Sequence, residues 1–160
     1  MADYGQVTFP KWPLVSTRLA PLLCCCLLLT TGCGTGQSDS TSQQMFQQLS
    51  AQEAVTLIAA RANDPTFVIL DVRTPEEFLR EHILNAVNID FNTPHFDAQL
   101  DGLDKSKAYL VYCGSGMRSG LAAEMMLERD FIEIYDLSGG TSALKQAGGG
   151  TQILVSCGCN

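Results

Sequence analysis

The sequence predicts an α/β fold, with a parallel sheet covered by helices on both faces. Short, continuous apolar runs, such as residues 67–70 (Phe-Val-Ile-Leu) and 108–112 (Ala-Tyr-Leu-Val-Tyr), alternate with segments of helical pattern. Uninterrupted apolar runs are typical of parallel strands that are covered on both faces, and their alternation with helices is typical of βαβ units. With 160 residues, of which 46% are hydrophobic, the chain is long enough for one domain plus additional segments.

Capping signals mark the helix starts. A Ser-x-x-Glu box at residues 50–53 opens a predicted helix that continues to residue 62. A Thr-Pro-Glu-Glu box at residues 74–77, with proline at the first helical position, opens a second helix that continues to residue 81. The other predicted elements are strands at 86–89 and 131–135, helices at 96–100, 119–128 and 142–147, and an edge strand within 152–155.

The most informative segment is the loop at residues 113–118, Cys-Gly-Ser-Gly-Met-Arg, which joins a predicted strand to a predicted helix. Glycines let successive backbone N–H groups turn toward one point, and the helix start adds unpaired donors. The loop therefore predicts an anion site at the carboxyl end of a strand, where α/β sheets place their ligands. Such settings lower a cysteine pKa and make the thiolate a nucleophile. The residues alone also allow a buried, unreactive Cys113, with Arg118 as a structural cap.

Two charged residues follow the strand at 67–70. Asp71 and Arg73 are interpreted as a structural ion pair that ties this strand end to the top of the sheet. Arg73 and Glu77 have i,i+4 spacing, and such a pair is worth only a few tenths of a kcal/mol when exposed.

Four segments in order resemble the signatures of the rhodanese-like domain. The loop at 113–118 has the cysteine, four residues and arginine of that family's active-site loop, and Ser119 follows. Residues 71–78 (Asp-Val-Arg-Thr-Pro-Glu-Glu-Phe) and 81–89 (Glu-His-Ile-Leu-Asn-Ala-Val-Asn-Ile) are similar to its first two signatures. Residues 137–148 (Leu-Ser-Gly-Gly, then Ala-Leu-Lys-Gln-Ala-Gly after two residues) are similar to its closing element. The resemblance covers about residues 50 to 150.

Three positions depart from the family pattern. Glu81 and Asn85 stand where glycines are usual, and Leu144 stands where the family has tryptophan. These departures affect turn geometry and packing rather than the loop.

The resemblance implies a sulfurtransferase. Cys113 would attack a small sulfur-containing anion, become a persulfide and pass the sulfur to a thiol or to cyanide, without a metal or an organic cofactor. Arg118 would bind the anionic part of the donor. The residues expected to hold substrate are Gly114, Ser115, Gly116, Met117 and Ser119.

Two alternatives stay open. A phosphatase-like enzyme also uses a cysteine-to-arginine loop, but those families place five residues between Cys and Arg and have a histidine before the cysteine, where this chain has Tyr112. The other alternative is a non-catalytic rhodanese-like module that binds a partner or senses redox state.

The N-terminal segment predicts export. A basic region is followed by an apolar stretch of about a dozen residues that is too short to span a bilayer, as in a signal peptide over residues 1–32. Small residues before Cys33 resemble the lipobox of bacterial lipoproteins, which implies lipidation at Cys33. Polar residues 33–49 are predicted to form a flexible tether. The domain at 50–150 would then be anchored to a membrane and would face the periplasm or cell exterior. It is expected to be a monomer.

The net charge and the positions of the cysteines indicate which partners, nucleic acid or metal ions, are expected. The formal charge of −7 argues against nucleic acid as a partner. Residues 151–160 are predicted to be a C-terminal tail, and its Cys157 and Cys159 are interpreted as unpaired tail residues, a redox pair or half of a metal site. Because no second ligand cluster accompanies them in the sequence, a metal site is not expected.

Overall fold

The computed structural model describes residues 43–148 and 153–156. It confirms the α/β class, because five parallel strands form a sheet in the order β1-β6-β5-β2-β4. The strands are β1 Met45–Leu49, β2 Phe67–Asp71, β3 His82–Ile83, β4 Val87–Asn88, β5 Ala108–Tyr112, β6 Glu133–Leu137 and β7 Leu154–Val155. The helices are α1 Ala51–Ala60, α2 Pro75–Arg80, α3 Phe96–Asp101, α4 Met117–Leu127 and α5 Gly140–Gln146.

Helices cover both faces of the sheet, as predicted. One apolar cluster packs buried residues of α3 and α4 against the sheet, including Leu100 and Met126. The other packs α1 and α5 against the opposite face, including Ala54 and Leu144. The central strand β5 is buried at all five positions, which explains why its sequence is apolar without alternation.

Both predicted capping boxes are present. The Ser50 N–H donates to the Glu53 carboxylate at 2.8 Å, and the Thr74 N–H donates to the Glu77 carboxylate at 3.1 Å. Pro75 stands at the start of α2, where its missing N–H costs no helical hydrogen bond. These local sequence signals therefore set the start of α2.

The predicted tether over residues 33–49 is wrong at its C-terminal end, because Met45–Leu49 forms the edge strand β1. This strand pairs with β6 from Met45 opposite Glu133 to Leu49 opposite Leu137. Only Leu49 of its five residues is buried, so the strand is held mainly by backbone hydrogen bonds. A segment with so little apolar burial carries no periodic signal in its sequence.

Other boundaries shift by one to two residues. β6 begins at Glu133 rather than at residue 131, because Phe131 packs in the preceding turn with its ring 5.3 Å from that of Tyr109. α4 begins at Met117, two residues before the predicted start. The predicted edge strand near residue 154 exists, but β7 pairs antiparallel with β3 in a separate two-stranded sheet.

The predicted signal peptide (1–32), the lipidation site Cys33 and the tail cysteines Cys157 and Cys159 lie outside the described residues. These assignments stay predictions. Across residues 43–148 and 153–156, no helix has the length and apolar character needed to cross a membrane.

Candidate active site

Cys113 lies immediately after β5, at the carboxyl end of the central strand of the parallel sheet. This is the position that the sequence predicted for the anion site. The residue is fully buried, and it packs with the apolar cluster on the α4 side of the sheet.

The loop after Cys113 turns its backbone donors toward the sulfur. Gly116 has a φ of +92°, and its N–H donates to the Cys113 Sγ at 3.1 Å. A Cβ at this glycine would lie 2.8 Å from the backbone nitrogen of Gly139, so both the conformation and the space demand glycine. α4 then starts at Met117 and directs its N-terminus at the same sulfur.

These contacts set the acidity of the thiol. Burial raises the pKa of Cys113, but hydrogen bonds from the backbone of Ser119, Ser115 and Gly116, together with the Ser119 hydroxyl, lower it more. The net result is a pKa below the ordinary value for cysteine. The loop therefore stabilises a thiolate, as its glycines and helix start predict.

The first turn of α5 holds the loop in place through backbone hydrogen bonds. The N–H of Thr141 donates to the Cys113 carbonyl at 2.9 Å, and the N–H of Ser142 donates to the Gly114 carbonyl at 3.1 Å. Gly140 has a φ of +56°, and a Cβ there would overlap the Cys113 carbonyl. The closing Gly-Gly element thus fixes the orientation of two peptide groups in the active-site loop.

Arg118 forms a bidentate ion pair with Glu77 of α2. Its Nη1 and Nη2 donate to Oε2 and Oε1 at 2.8 and 2.9 Å. The two side chains are 25% and 32% exposed, so the pair lies at the surface of the site. Hydrogen bonding to Arg118 is the main reason that the pKa of Glu77 falls to about 2. Contact with Glu77 and then with Cys113 raises the pKa of Arg118.

The contact between Glu77 and Arg118 was not predicted from the sequence. Glu77 was expected to cap α2 and to stand near Arg73, but its carboxylate also reaches Arg118, which is 41 residues away along the chain. Arg73 pairs with Asp71 instead of Glu77. No local pattern reports a contact across such a sequence separation.

The predicted Asp71–Arg73 ion pair is present. The Arg73 Nη2 donates to the Asp71 Oδ2 at 2.6 Å, and the same nitrogen donates to the Glu81 carbonyl at 2.6 Å. Asp71 is fully buried and Arg73 is 5% exposed. The pair joins the end of β2 to the end of α2, which is the structural position expected for it.

The other predicted site residues divide by exposure. Ser119 is buried at the first turn of α4, Gly114 and Gly116 are half-buried, and Ser115 and Met117 face solvent. Met117 is 75% exposed, so its side chain lies on the outer rim of the loop.

Two of the departures from the family pattern have a simple structural outcome. Asn85 adopts a φ of +64°, a conformation that glycine adopts more easily and that asparagine tolerates. Leu144 is fully buried in the core on the α5 face. Among the described residues, no group of three or more His, Cys, Asp or Glu side chains could hold a metal ion.

Comparison with known proteins identifies the family of this domain. The family model described as "Rhodanese-like domain" matches residues 53–147. The chain is 35% identical over 101 residues to a protein of Coxiella burnetii named thiosulfate sulfurtransferase GlpE, covering 63% of this chain and 89% of that one. It is 32% identical over 103 residues to a protein of the same name from Shewanella oneidensis, covering 64% and 95%.

A solved structure is also similar. The crystal structure of a rhodanese-like domain protein from Staphylococcus aureus has a TM-score of 0.50 and 26% identity, covering 61% of this chain and 90% of that one. The family match covers more than half of the sequence, and the α/β fold agrees with it. The chain belongs to the rhodanese-like domain family.

Proposed function

We propose that the protein is a sulfurtransferase that carries sulfane sulfur on Cys113. The observation that carries this proposal is the Cys113 sulfur, which accepts an N–H bond from Gly116 at the N-terminus of α4, with the Arg118 guanidinium beside it. A thiolate with a lowered pKa is a nucleophile, and an arginine fork suits a planar or tetrahedral anion.

The proposed reaction has two steps. The Cys113 thiolate attacks the outer sulfur of thiosulfate or a related donor, the donor's S–S bond breaks, and sulfite leaves with the electron pair. An acceptor thiolate or cyanide then attacks the outer sulfur of the persulfide, and Cys113 leaves as a thiolate. Each step exchanges one bond to sulfur for another, so no external oxidant or reductant is needed, and ping-pong kinetics are expected.

Arg118 would recognise the anionic part of the donor. The same fork binds the Glu77 carboxylate at 2.8 and 2.9 Å. A donor anion therefore competes with Glu77 for the same guanidinium. Glu77 lies at the surface of the site, so its carboxylate regains water when the pair opens.

The test is intact mass after incubation with thiosulfate. We expect one added sulfur on the wild-type protein and none on Cys113→Ser, which keeps the size of the side chain but removes the thiol. The matched control is the double variant Cys157→Ser with Cys159→Ser, which should load sulfur like the wild type. Thiosulfate:cyanide activity should fall below a few per cent in Cys113→Ser.

Two outcomes would contradict the proposal. Sulfur loading that persists in Cys113→Ser would place the nucleophile elsewhere. An unmodified wild-type mass with an intact fold would favour a non-catalytic binding or redox-sensing module.

A further inference from the structure

The short strand β7 runs toward the end of α2. It pairs antiparallel with β3, with Val155 opposite His82, and the Leu84 N–H donates to the Ile153 carbonyl at 2.8 Å. Because β3 starts directly after α2 and runs away from it, its antiparallel partner runs back toward α2. The chain therefore leaves β7 beside Glu81, the residue that precedes β3.

Glu81 lies at the carboxyl edge of the sheet, where the cysteine loop also lies. Its carbonyl accepts a hydrogen bond from Arg73 at 2.6 Å, and Arg73 is paired with Asp71 at the end of β2. Its side chain forms an ion pair with Lys145 of α5 at 2.6 Å. These contacts fix the end of α2, and with it the end of β7, at this edge.

The opposite end of α2 contacts the cysteine loop. Glu77, one helical turn before Glu81, binds the Arg118 guanidinium. A Cβ at Gly114, the residue after Cys113, would lie 3.8 Å from the same carboxylate. One strand spacing and one helical turn therefore separate the end of β7 from a side chain that touches the loop.

Two cysteines follow β7 at short range in the sequence. Cys157 is the first residue after Ser156 and Cys159 is the third, and both lie outside the described residues. One strand spacing is about 5 Å and one helical turn is about 5 Å, whereas three extended residues span about 10 Å and one residue spans about 3 Å. The number of residues thus lets Cys159, but not Cys157, reach the level of Glu77.

We propose that Cys159 is an internal sulfur acceptor, whose thiolate attacks the outer sulfur of a persulfide on Cys113. A bond forms between the Cys159 sulfur and the transferred sulfur, the bond to the Cys113 sulfur breaks, and Cys113 leaves as a thiolate. The thiol proton of Cys159 passes to solvent, and no oxidant or reductant is needed. This transfer rests on the proposed function, because it starts from the Cys113 persulfide.

The burial of Cys113 favours an acceptor of this shape. The residue is fully buried, so a bulky acceptor has no direct approach to its sulfur. Cys159 follows Gly158, which has no side chain. The N–H of Gly116, which donates to the Cys113 sulfur at 3.1 Å, stabilises the thiolate that leaves. A stabilised thiolate leaves faster in thiol exchange.

The pairing of β7 with β3 raises the local concentration of the acceptor. Without it, Cys159 would be carried by the whole segment that follows α5, residues 147–159. With it, the segment shortens to residues 156–159. A shorter link between two reacting groups raises their effective concentration, to the millimolar range for short linkers.

The test follows sulfur on two peptides of the full chain. The protein is reduced, freed of reductant and incubated with excess thiosulfate, and samples are quenched with iodoacetamide, which caps thiols and persulfides. Tryptic digestion without reductant gives residues 108–118, with Cys113, and residues 146–160, with Cys157 and Cys159. Added sulfur on the first peptide reports the proposed function, and added sulfur on the second reports the transfer.

In the wild type, sulfur should appear first on residues 108–118 and then on residues 146–160. Because transfer frees Cys113 to load again, the intact mass should rise beyond the single sulfur of the first turnover. Cys159→Ser should leave residues 146–160 without added sulfur. Cys157→Ser is the matched control and should transfer sulfur as the wild type does. Cys113→Ser should show added sulfur on neither peptide.

Leu154→Asn tests the role of β7. Leu154 packs against the apolar cluster on the α5 face, and asparagine is of similar size but disfavours strands. Sulfur should reach residues 146–160 more slowly, on the order of tenfold, because the link to Cys159 lengthens. Loading of residues 108–118 should match the wild type and shows that the loop is folded. Transfer at the wild-type rate would overturn the role assigned to β7.

A mixture of two variants separates transfer within one chain from transfer between chains. Cys113→Ser supplies only the acceptor, and the double variant Cys157→Ser with Cys159→Ser supplies only the loaded Cys113. Residues 146–160 of the Cys113→Ser chain should stay free of added sulfur in this mixture. Sulfur arriving there at the wild-type rate would overturn an internal transfer.

Three further results would overturn the assignment of Cys159. They are transfer that persists in Cys159→Ser, transfer that is lost in Cys157→Ser, and sulfur on residues 146–160 of Cys113→Ser alone. Sulfur that stays on residues 108–118 of the wild type would contradict the transfer and leave the proposed function intact. A wild type with no added sulfur on either peptide would contradict both.

Discussion

Two arginine–carboxylate pairs lie at the carboxyl edge of the sheet, and they differ in burial. The Asp71–Arg73 pair is closed: the carboxylate is fully buried, and the guanidinium also binds the Glu81 carbonyl. The Glu77–Arg118 pair is about one quarter to one third exposed and lies at the cysteine loop. Both are bidentate, so geometry alone does not separate them. Burial indicates that the first pair holds the fold, whereas the second can exchange partners.

The largest expected effect comes from breaking the closed pair. Asp71→Asn leaves the Arg73 guanidinium buried beside a neutral amide, and loss of one partner of a buried pair costs about 3–5 kcal/mol. We therefore expect the free energy of unfolding, measured by urea denaturation, to fall by about 3 kcal/mol or more.

The matched control for this variant is Asp97→Asn, which removes a partner of Arg129 at a site where the aspartate side chain is 64% exposed. It should change the free energy of unfolding by less than about 1 kcal/mol. Equal effects of the two variants would mean that burial does not distinguish the pairs.

In contrast to Asp71→Asn, Arg118→Lys should retain stability and lose activity. Lysine offers a hydrated point charge in place of a planar fork, so the bidentate contact with a donor anion is lost. We expect the free energy of unfolding to stay within about 1 kcal/mol and kcat/KM for thiosulfate to fall by about tenfold or more. Arg129→Lys, a change of the same chemistry away from the loop, should leave kcat/KM unchanged. Equal kcat/KM values for Arg118→Lys and the wild type would restrict Arg118 to a structural role.

Glu77→Gln should produce the smallest change. Glutamine can still cap α2 at the N3 position, but it no longer competes as an anion for Arg118. We expect KM for thiosulfate to fall by a few-fold, on the scale of an exposed ion pair. Glu53→Gln is the control, because Glu53 has the same capping role at α1 and contacts Ser50 rather than an arginine. A higher KM in Glu77→Gln would show that Glu77 orients Arg118 productively.

The pH dependence of stability sharpens the same comparison. The folded pKa of Glu77, about 2, is below its ordinary value of 4.5, so the pair's contribution is complete above about pH 4.5. It is lost as the pH falls from about 4.5 toward 2. In urea denaturation at acidic pH, the free energy of unfolding of Glu77→Gln should lack the part of the pH dependence that comes from the Glu77–Arg118 pair. The same acid dependence in the variant and the wild type would contradict the lowered pKa of Glu77.

Much of the fold was predictable because its signals are local. The apolar run of β5, both capping boxes and the glycines of the loop act within a few residues. β1 was missed, because four of its five side chains are exposed and its pairing with β6 spans most of the chain. Hydrophobic periodicity reports burial, so a strand held by its backbone leaves little trace.

The site was predictable to the same extent. Cys113 and Arg118 follow from the loop sequence, but Glu77 reaches the site from another element, α2. Glu77 already had a complete local explanation as a helix cap. Tertiary contacts of this kind are invisible to local reasoning.

The support that α5 gives to the loop has a consequence for protein engineering. The carbonyls of Cys113 and Gly114 are held by the N–H groups of Thr141 and Ser142, and Gly140 leaves room for that approach. The hexapeptide from Cys113 to Arg118 therefore cannot be expected to keep its conformation when it is transferred alone to another protein. Grafted alone onto the end of another parallel strand, it would keep its glycines. It would lose the start of α5, whose N–H groups orient the peptide groups of the loop. A transplant that reproduces the thiolate needs both segments, which contact each other directly although α4 and β6 separate them along the chain.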